Sequence, residues 1–411
     1  MKWIKPLLPF VVNSKLKPLF NMETVQPKLR FPDFKDNWDN RKLGQFTQWA
    51  SGGTPPKDNV NYWNGDIAWI SASSMRGLEY TNSELKITLE GLQKGSKLAK
   101  KGDLLLLVRG SMLFNKIPIG IAGIDVSFNQ DLKSISVDNQ VSNSKYILQW
   151  FFHSEPKVLN MVTGTGIGAG KLDLSDLKDL NINLPSLKEQ TRIANFLSSV
   201  DEKLNLLKEK KALLEDYKKG IMQKIFNQEI RFKDDNGNDF EEWEEKSLGE
   251  CLNFEQPTKY LVDSTDYNDS FKTPVLTAGK TFILGYTDEV NGIFKKEELP
   301  VIIFDDFTTA TQFVNFPFKA KSSAMKILKA KENICIKFIY ESMQNLKFEV
   351  GGHGRHWISI YSNLFIDLPT LKEQTKIANF FSAIDEKIAL VSNQIQDTQE
   401  YKKGLLQQMF V

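Results

Sequence analysis

Cysteine occurs only twice in 411 residues, at Cys251 and Cys335, and histidine only three times. Two thiols cannot build a disulfide framework, and no zinc site with the usual Cys/His spacing can be assembled from this set. Such scarcity fits a reducing, cytoplasmic setting. Long apolar runs are missing too, since no stretch approaches the roughly 20 apolar residues of a membrane helix. The opening MKWIKPLLPFVV is a poor secretory signal, because two prolines interrupt its apolar run and no small-x-small cleavage site follows. Residues 1–26 are therefore read as an extension of unclear role, and Met22 offers a second point at which the chain could begin. An excess of one charge is also lacking: 53 Lys and Arg stand against 51 Asp and Glu, a net charge of +2.

Catalytic signatures are equally scarce. Walker A would need Gly at 165 and Ser or Thr at 172, where the chain has Thr165 and Leu172. The stretch from Gly164 mimics a dinucleotide fingerprint only loosely and lacks a strand-loop-helix context. There is no Asn/Asp-Pro-Pro-aromatic motif of amino-methyltransferases and no acidic-plus-Lys nuclease core. Three histidines leave little room for a Ser-His-Asp arrangement. FDDF (304–307) reads as a strand end rather than a metal site. The chain is thus expected to be non-catalytic and to hold no cofactor and no metal.

What the chain does have is a repeat. LPSLKEQTRIANFLSSVDEKL (184–204) returns as LPTLKEQTKIANFFSAIDEKI (368–388), with 15 of 21 residues identical and every other pair conservative. The offset of 184 persists to DYKKGIMQKIF (216–226) and EYKKGLLQQMF (400–410), so a unit of 43 residues or more is duplicated. Ser186-x-x-Glu189 and Thr370-x-x-Glu373 each spell a capping box, which predicts helices opening at Leu187 and Leu371. Downstream, a 4-3-4-3 ladder runs through Val200, Leu204, Leu207, Lys211, Leu214, Lys218, Ile221 and Ile225. Its partner runs through Ile384, Ile388, Val391, Ile395, Thr398, Lys402, Leu405 and Met409. Six of eight rungs are apolar in each, which is coiled-coil spacing. Gly220 and Gly404 hold matched positions at about 1 kcal/mol each relative to Ala; close helix contact would explain them, and a tolerated defect is the alternative.

A shorter repeat leads into each unit. LRFPDFKDNWDNRKLG (29–44) and IRFKDDNGNDFEEWEEKSLG (230–249) share Arg-Phe, then Trp, then Leu-Gly, pairing Trp38 with Trp243 and Gly44 with Gly249. The segments expected are an extension (1–26), a first globule with its lead-in (27–183), a first helix (184–226), a second lead-in and globule (227–367), and a second helix (368–411). Inside the globules, DIAWISA (66–72), DLLLLVRG (103–110), PVIIFDD (300–306) and SSAMKILKA (322–330) read as strands. SKYILQWFFHS (144–154) and NICIKFIYESMQNL (333–346) read as helices. The fold class expected is α+β: two α/β globules separated by two long antiparallel coiled-coil helices, with an internal pseudo-two-fold repeat.

Neither variable block is basic, with 14 cations against 13 acids in 45–183 and 13 against 15 in 250–367. Any anion-binding surface must come from clustering. The candidates for nucleic-acid contact are Arg76, Lys97, Lys100, Lys101, Arg109, Lys116, Lys171, Lys319, Lys321, His353, Arg355 and His356. Gly168-Ala169-Gly170-Lys171 and Gly352-His353-Gly354-Arg355 lie at the same offset of 184. Each is either a plain turn or a loop presenting amides and one cation to phosphate or base edges. For Trp357, anchoring its loop by burial is an equal alternative to a contact role.

Two helices beginning LPxLxEQ and ending YKKGxxQ, two lead-ins with RF, W and LG, and two unlike globules resemble the specificity subunit of type I restriction-modification systems. SGGTPPKDNVNYWNGDIAWISA (51–72) is similar to the opening of that family's target-recognition domains. The resemblance runs from about residue 27 to the end. It implies that each variable block reads half of a split site in double-stranded DNA and that the paired helices separate the blocks. It also implies that two methyltransferase subunits, with restriction and translocase subunits in the full complex, supply the chemistry, with no membrane partner. From Val200 to Phe226 is 27 residues, about 40 Å of helix at roughly 1.5 Å per residue, comparable with a DNA turn of about 34–36 Å. Inserting about four residues there, roughly one turn, should change the unread spacer and leave both half-sites intact. Two rivals predict otherwise: a coiled-coil scaffold with protein-binding globules leaves no sequence-dependent footprint, and a self-contained methyltransferase modifies DNA alone.

Overall fold

The structure is a computed structural model that describes residues 11–12, 26–166, 168–277, 281–346 and 356–411. It mixes helix and sheet and divides into two compact units, one made of 1–207 with 394–411 and the other of 208–393. Both divisions fall inside a long helix, Leu187–Phe226 or Leu371–Met409. No described helix is long and apolar enough to cross a membrane.

In the first unit the apolar run at 104–107 forms the middle strand of a five-stranded sheet, ordered Thr47–Ser51, Leu132–Val137, Leu104–Leu107, Ile119–Ala122, Glu79–Tyr80. All four leucines are fully buried, as expected of a strand covered on both faces. A four-stranded sheet, Lys86–Ile87, Trp63–Ile70, Val126–Phe128, Lys97–Ala99, gives Ile70, Ala99, Val126 and Phe128 to the same core. The helix Ser144–Leu159, capped by the Asn143 side chain, supplies Tyr146, Ile147, Trp150 and Phe151 to the same core. Leu405, Met409 and Phe410 complete that core from the chain's last helix, the Phe410 ring lying 5.3 Å from Tyr146.

In the second unit the sheet runs Leu252–Glu255, Met325–Ala330, Val301–Asp305, Thr311–Val314, antiparallel throughout. A three-stranded sheet, Ile283–Thr287, Thr273–Leu276, Lys319–Ala320, shares with it a core around Phe294 and Phe318 that also takes in Val301, Ile303 and Ile327. The helix Ile336–Asn345 packs with Met222, Ile225 and Phe381. All six predicted elements are therefore present, and FDDF does close a strand, with Asp306 buried against Lys326 at 3.1 Å.

Both long helices begin where expected, but the first capping box is only half made and the second not at all, the Thr370 hydroxyl being buried without a hydrogen-bond partner. The Ser186 hydroxyl accepts from the Glu189 amide at 3.4 Å. The Glu189 carboxylate does not return to the helix start. It takes a fork of two bonds from Arg30, both 2.8 Å, with acid and base almost wholly buried. In the second unit Glu373 accepts from Arg231 at 3.0 Å and from the Trp243 indole at 3.0 Å. Arg30 lies 6.0 Å from the Trp38 ring centroid and Arg231 6.0 Å from that of Trp243. The two duplicated motifs are thus halves of one device: the lead-in's Arg closes on the helix's Glu in both units, joined in the second by the Trp243 indole. The following glutamine is also spoken for, as Gln190 and Gln374 each donate to the carbonyl of the preceding proline, Pro185 or Pro369.

The ladder residues are the less exposed positions along each helix; of the three basic rungs, Lys211 meets only Glu215 of its own helix at 3.7 Å, and the other two pair between copies. Lys402 lies 2.6 Å from Asp201 in the first unit, and Lys218 lies 2.7 Å from Asp385 in the second. One expectation fails here. A Cβ at Gly220 would meet nothing within 4 Å, and one at Gly404 only the tip of Gln408 at 3.9 Å. Among the described residues these glycines serve no close helix contact.

Candidate nucleic-acid interface

The central strand of the first unit's core carries straight on to Arg109, which emerges exposed just past Val108. There a second, smaller sheet begins: Arg109–Gly110 pairs with Gly170–Lys171, which pairs with Thr163–Gly164. Its register sets Arg109, Lys171 and Thr163 in one row and Gly110, Gly170 and Gly164 in the next. Residues directly opposite in a sheet share a face, so the two cations stand side by side. Gly168, at φ +76°, makes the return that an L side chain resists. Gly170 has no room for a Cβ, which would fall 2.8 Å from Val162 and 3.0 Å from Leu113. The Gly-x-Gly-Lys stretch is therefore one arm of a packed hairpin, and its lysine is positioned by the core strand.

Arg76 and Lys116 are brought to a second place. They line a cleft of about 670 Å3 whose floor includes Met75, Ile119 and Phe152. Lys97 lies exposed on the strand Lys97–Ala99, and Lys100 and Lys101 occupy the turn after it. That turn is largely self-compensated: Lys100 is 2.8 Å from Asp125, whose other oxygen accepts from the Lys101 amide at 2.8 Å. The hydrogen bond from Lys100, joined by that amide, holds the Asp125 carboxyl below its ordinary value.

The second unit treats its candidates differently. Lys319, expected on an outer surface, is buried and gives its ammonium to Glu289 and to the Asn291 carbonyl. The reason is its strand, which pairs with Val275–Leu276 in the interior. His356 is likewise inside, and Trp357 is buried between Phe304 and Tyr361, its amide bonded to Asp306 at 2.9 Å. Of the two roles weighed for Trp357, burial is the one realised. Lys321 remains half-exposed, 5.8 Å from the Tyr267 ring centroid. His353 and Arg355 lie outside the described residues. Sequence reading missed Thr163 and the exposed Phe114 beside the small sheet. The signal was present, as Arg-Gly, Thr-Gly and Gly-Lys each set a polar residue against a glycine.

The family model described as "Type I restriction modification DNA specificity domain" matches residues 35–216 and 240–399. The chain belongs to that family, whose model it matches twice. It is 53% identical over 126 residues to the type I restriction enzyme EcoR124I/EcoR124II specificity subunit of Escherichia coli, a match covering 30% of this chain and only 31% of that protein's length. Over 417 residues, 94% of this chain and 96% of the other, it is 24% identical to the putative type I restriction enzyme MjaX specificity subunit of Methanocaldococcus jannaschii. Its fold matches that of the S subunit of a type I restriction-modification system from M. genitalium with a TM-score of 0.66 at 16% identity, covering 94% and 99% of the two chains.

Proposed function

We propose that this chain is the non-catalytic sequence-specificity subunit of a type I restriction-modification complex, acting in the cytoplasm on double-stranded DNA. The segments 27–183 and 227–367 each read one half of a bipartite, asymmetric site. The helices of 184–226 and 368–411 pair antiparallel as a pseudo-two-fold coiled coil that sets the spacer. Candidate DNA contacts are Arg76, Lys97, Lys100, Lys101, Arg109, Lys116, Lys171 and Lys321. Residues 1–26 keep no assigned role.

The observation that carries the paired-helix reading is a reciprocity. Asp201 and Asp385 are counterparts at an offset of 184, as are Lys218 and Lys402. The acid of each copy meets the base of the other, as a two-fold arrangement of like units requires. Residues further along one helix meet residues further back on the other, which supports an antiparallel pair.

Docking of two modification subunits is supported by a second recurrence. Leu206 and Leu390 are 58% and 59% exposed, and Tyr217 and Tyr401 are each 52% exposed, again 184 apart. Apolar residues kept outward twice, together with an open glycine three residues beyond each tyrosine, suit one partner bound at two equivalent places. Methyltransferase and nuclease chemistry then resides in the partners.

Methylome sequencing of a host expressing the chain with compatible modification subunits tests the reading. A bipartite asymmetric motif is expected, and exchanging the block 45–183 for that of another such protein should change one half only. Methylation without a bipartite motif, or both halves changing together, would sink the assignment.

A further inference from the structure

We infer that Arg109 and Lys171 together hold a single backbone phosphate of the DNA, a sequence-blind anchor that fixes where the first unit sits while other residues read the bases. This rests on the DNA-reading function proposed above and names the part that one site plays in it.

Arg109 and Lys171 are exact cross-strand partners, which places their Cβ atoms about 5 Å apart. Like charges in that relation repel, so the pair costs stability unless an anion sits between them. Among the described residues neither cation has an ion-pair partner. The nearest acid in sequence, Asp173, makes no ion pair with Lys171 and caps the following helix, accepting from the Ser175 amide at 2.8 Å. The Ser175 hydroxyl and amide hold its carboxyl below the ordinary value, with a smaller contribution from the charge of Lys171.

The support beneath the pair is rigid. Arg109 continues a strand whose four preceding leucines are fully buried. Lys171 is held through the Gly170 backbone packed on Leu113 and Val162, and through the Leu172 amide, which bonds the Val108 carbonyl at 2.9 Å. Beside the two cations runs the row Gly110, Gly170, Gly164, and a Cβ on Gly164 would meet nothing within 4 Å. Adjacent rows point to opposite faces of a sheet, so the glycine row, with Gly170 packed on Val162 and Leu113, seats the hairpin while both cations and Thr163 share the other face. Phosphate contacts position a protein on DNA and carry no base information directly.

The test measures affinity against salt for the chain assembled with its modification subunits, on a duplex carrying the methylated motif and on a scrambled duplex. Arg109→Gln, Lys171→Gln and the double variant are compared with Arg109→Lys and Lys171→Arg, which keep the charge and control for folding. Each neutral variant should weaken binding by the same factor on both duplexes. The double variant should lower the slope of log K against log salt by about 0.9, the value for one phosphate, rather than twice that. The charge-keeping variants should retain the slope. An unchanged slope in the double variant overturns the inference, as does a changed motif. If the wild-type assembly prefers no sequence while the slope still falls, the anchor stands and the specificity reading fails; if it binds no DNA, both fail.

Discussion

The ammonium of Lys402 lies 2.6 Å from the Asp201 carboxylate, and 184 residues earlier Lys218 lies 2.7 Å from Asp385. The surroundings differ. Asp201 also accepts from the neutral Gln149 amide at 2.9 Å, whereas Asp385 shares Lys218 and Lys337 with the fully buried Glu341. A basic rung in an apolar ladder is costly unless paired, and Lys218 and Lys402 are each answered by the aspartate of the other copy. Lys402→Met should destabilise the first unit by about 3 kcal/mol, because it leaves Asp201 buried with one neutral donor. Adding Asp201→Leu should recover part of that loss. Urea unfolding of the four chains of this cycle checks it, and additive effects would show that the pair is not coupled.

The Asp385 group makes a pH prediction. Burial alone would raise its carboxyl, but hydrogen bonds from Lys218 and Lys337 outweigh burial and hold it below the ordinary 3.8. A lowered folded value means that the unfolded chain takes up the proton first as pH falls. The stability is therefore present above 3.8 and is lost as pH falls through the folded value. Asp385→Asn should be less stable than wild type at about pH 6, and the gap should close toward about pH 3. A gap that stays constant over that range would show that the carboxylate charge is not what the network uses.

The Arg30–Glu189 clamp should be intolerant even of a conservative change. Arg30 spends two donors on the carboxylate and one on the Asp36 carbonyl at 2.7 Å. A lysine keeps the charge but has no planar fork. Arg30→Met should cost about 3–5 kcal/mol, the usual effect of stranding a buried charge, and Arg30→Lys should recover less than half of it. Thermal unfolding of the three chains decides, and full rescue by lysine would mean that the fork is not needed. In the second unit Glu373 keeps the Trp243 indole when Arg231 is lost, so Arg231→Met should cost less than Arg30→Met.

How far these features were legible depends on their reach along the chain. Helix starts, ladders and buried strands depend on neighbours within a few residues, and Leu187, Leu371 and the run at 104–107 fall where their local pattern places them. The role of Glu189 did not show, because a capping box is also a local pattern while its real partner lies 159 residues away. Lys171 and Lys319 look alike in sequence. One is outside and one is inside because Glu289 and the strand Val275–Leu276 meet Lys319 in space. Charge counts cannot separate such cases.

Gly220 gives a prediction in which two readouts move in opposite directions. A glycine inside a helix costs about 1 kcal/mol relative to alanine, and nothing in the described structure within 4 Å needs the missing Cβ. Gly220→Ala should therefore stabilise the isolated chain by up to about that amount. If a modification subunit packs against the stripe of Leu206, Tyr217 and Gly220, the same change should weaken its binding, and Tyr217→Glu should abolish one of two sites. Native mass spectrometry would then show one partner bound with Tyr217→Glu, one with Tyr401→Glu and none with both. A stabilised Gly220→Ala chain that still takes two partners with unchanged affinity would show that the stripe is not where they dock.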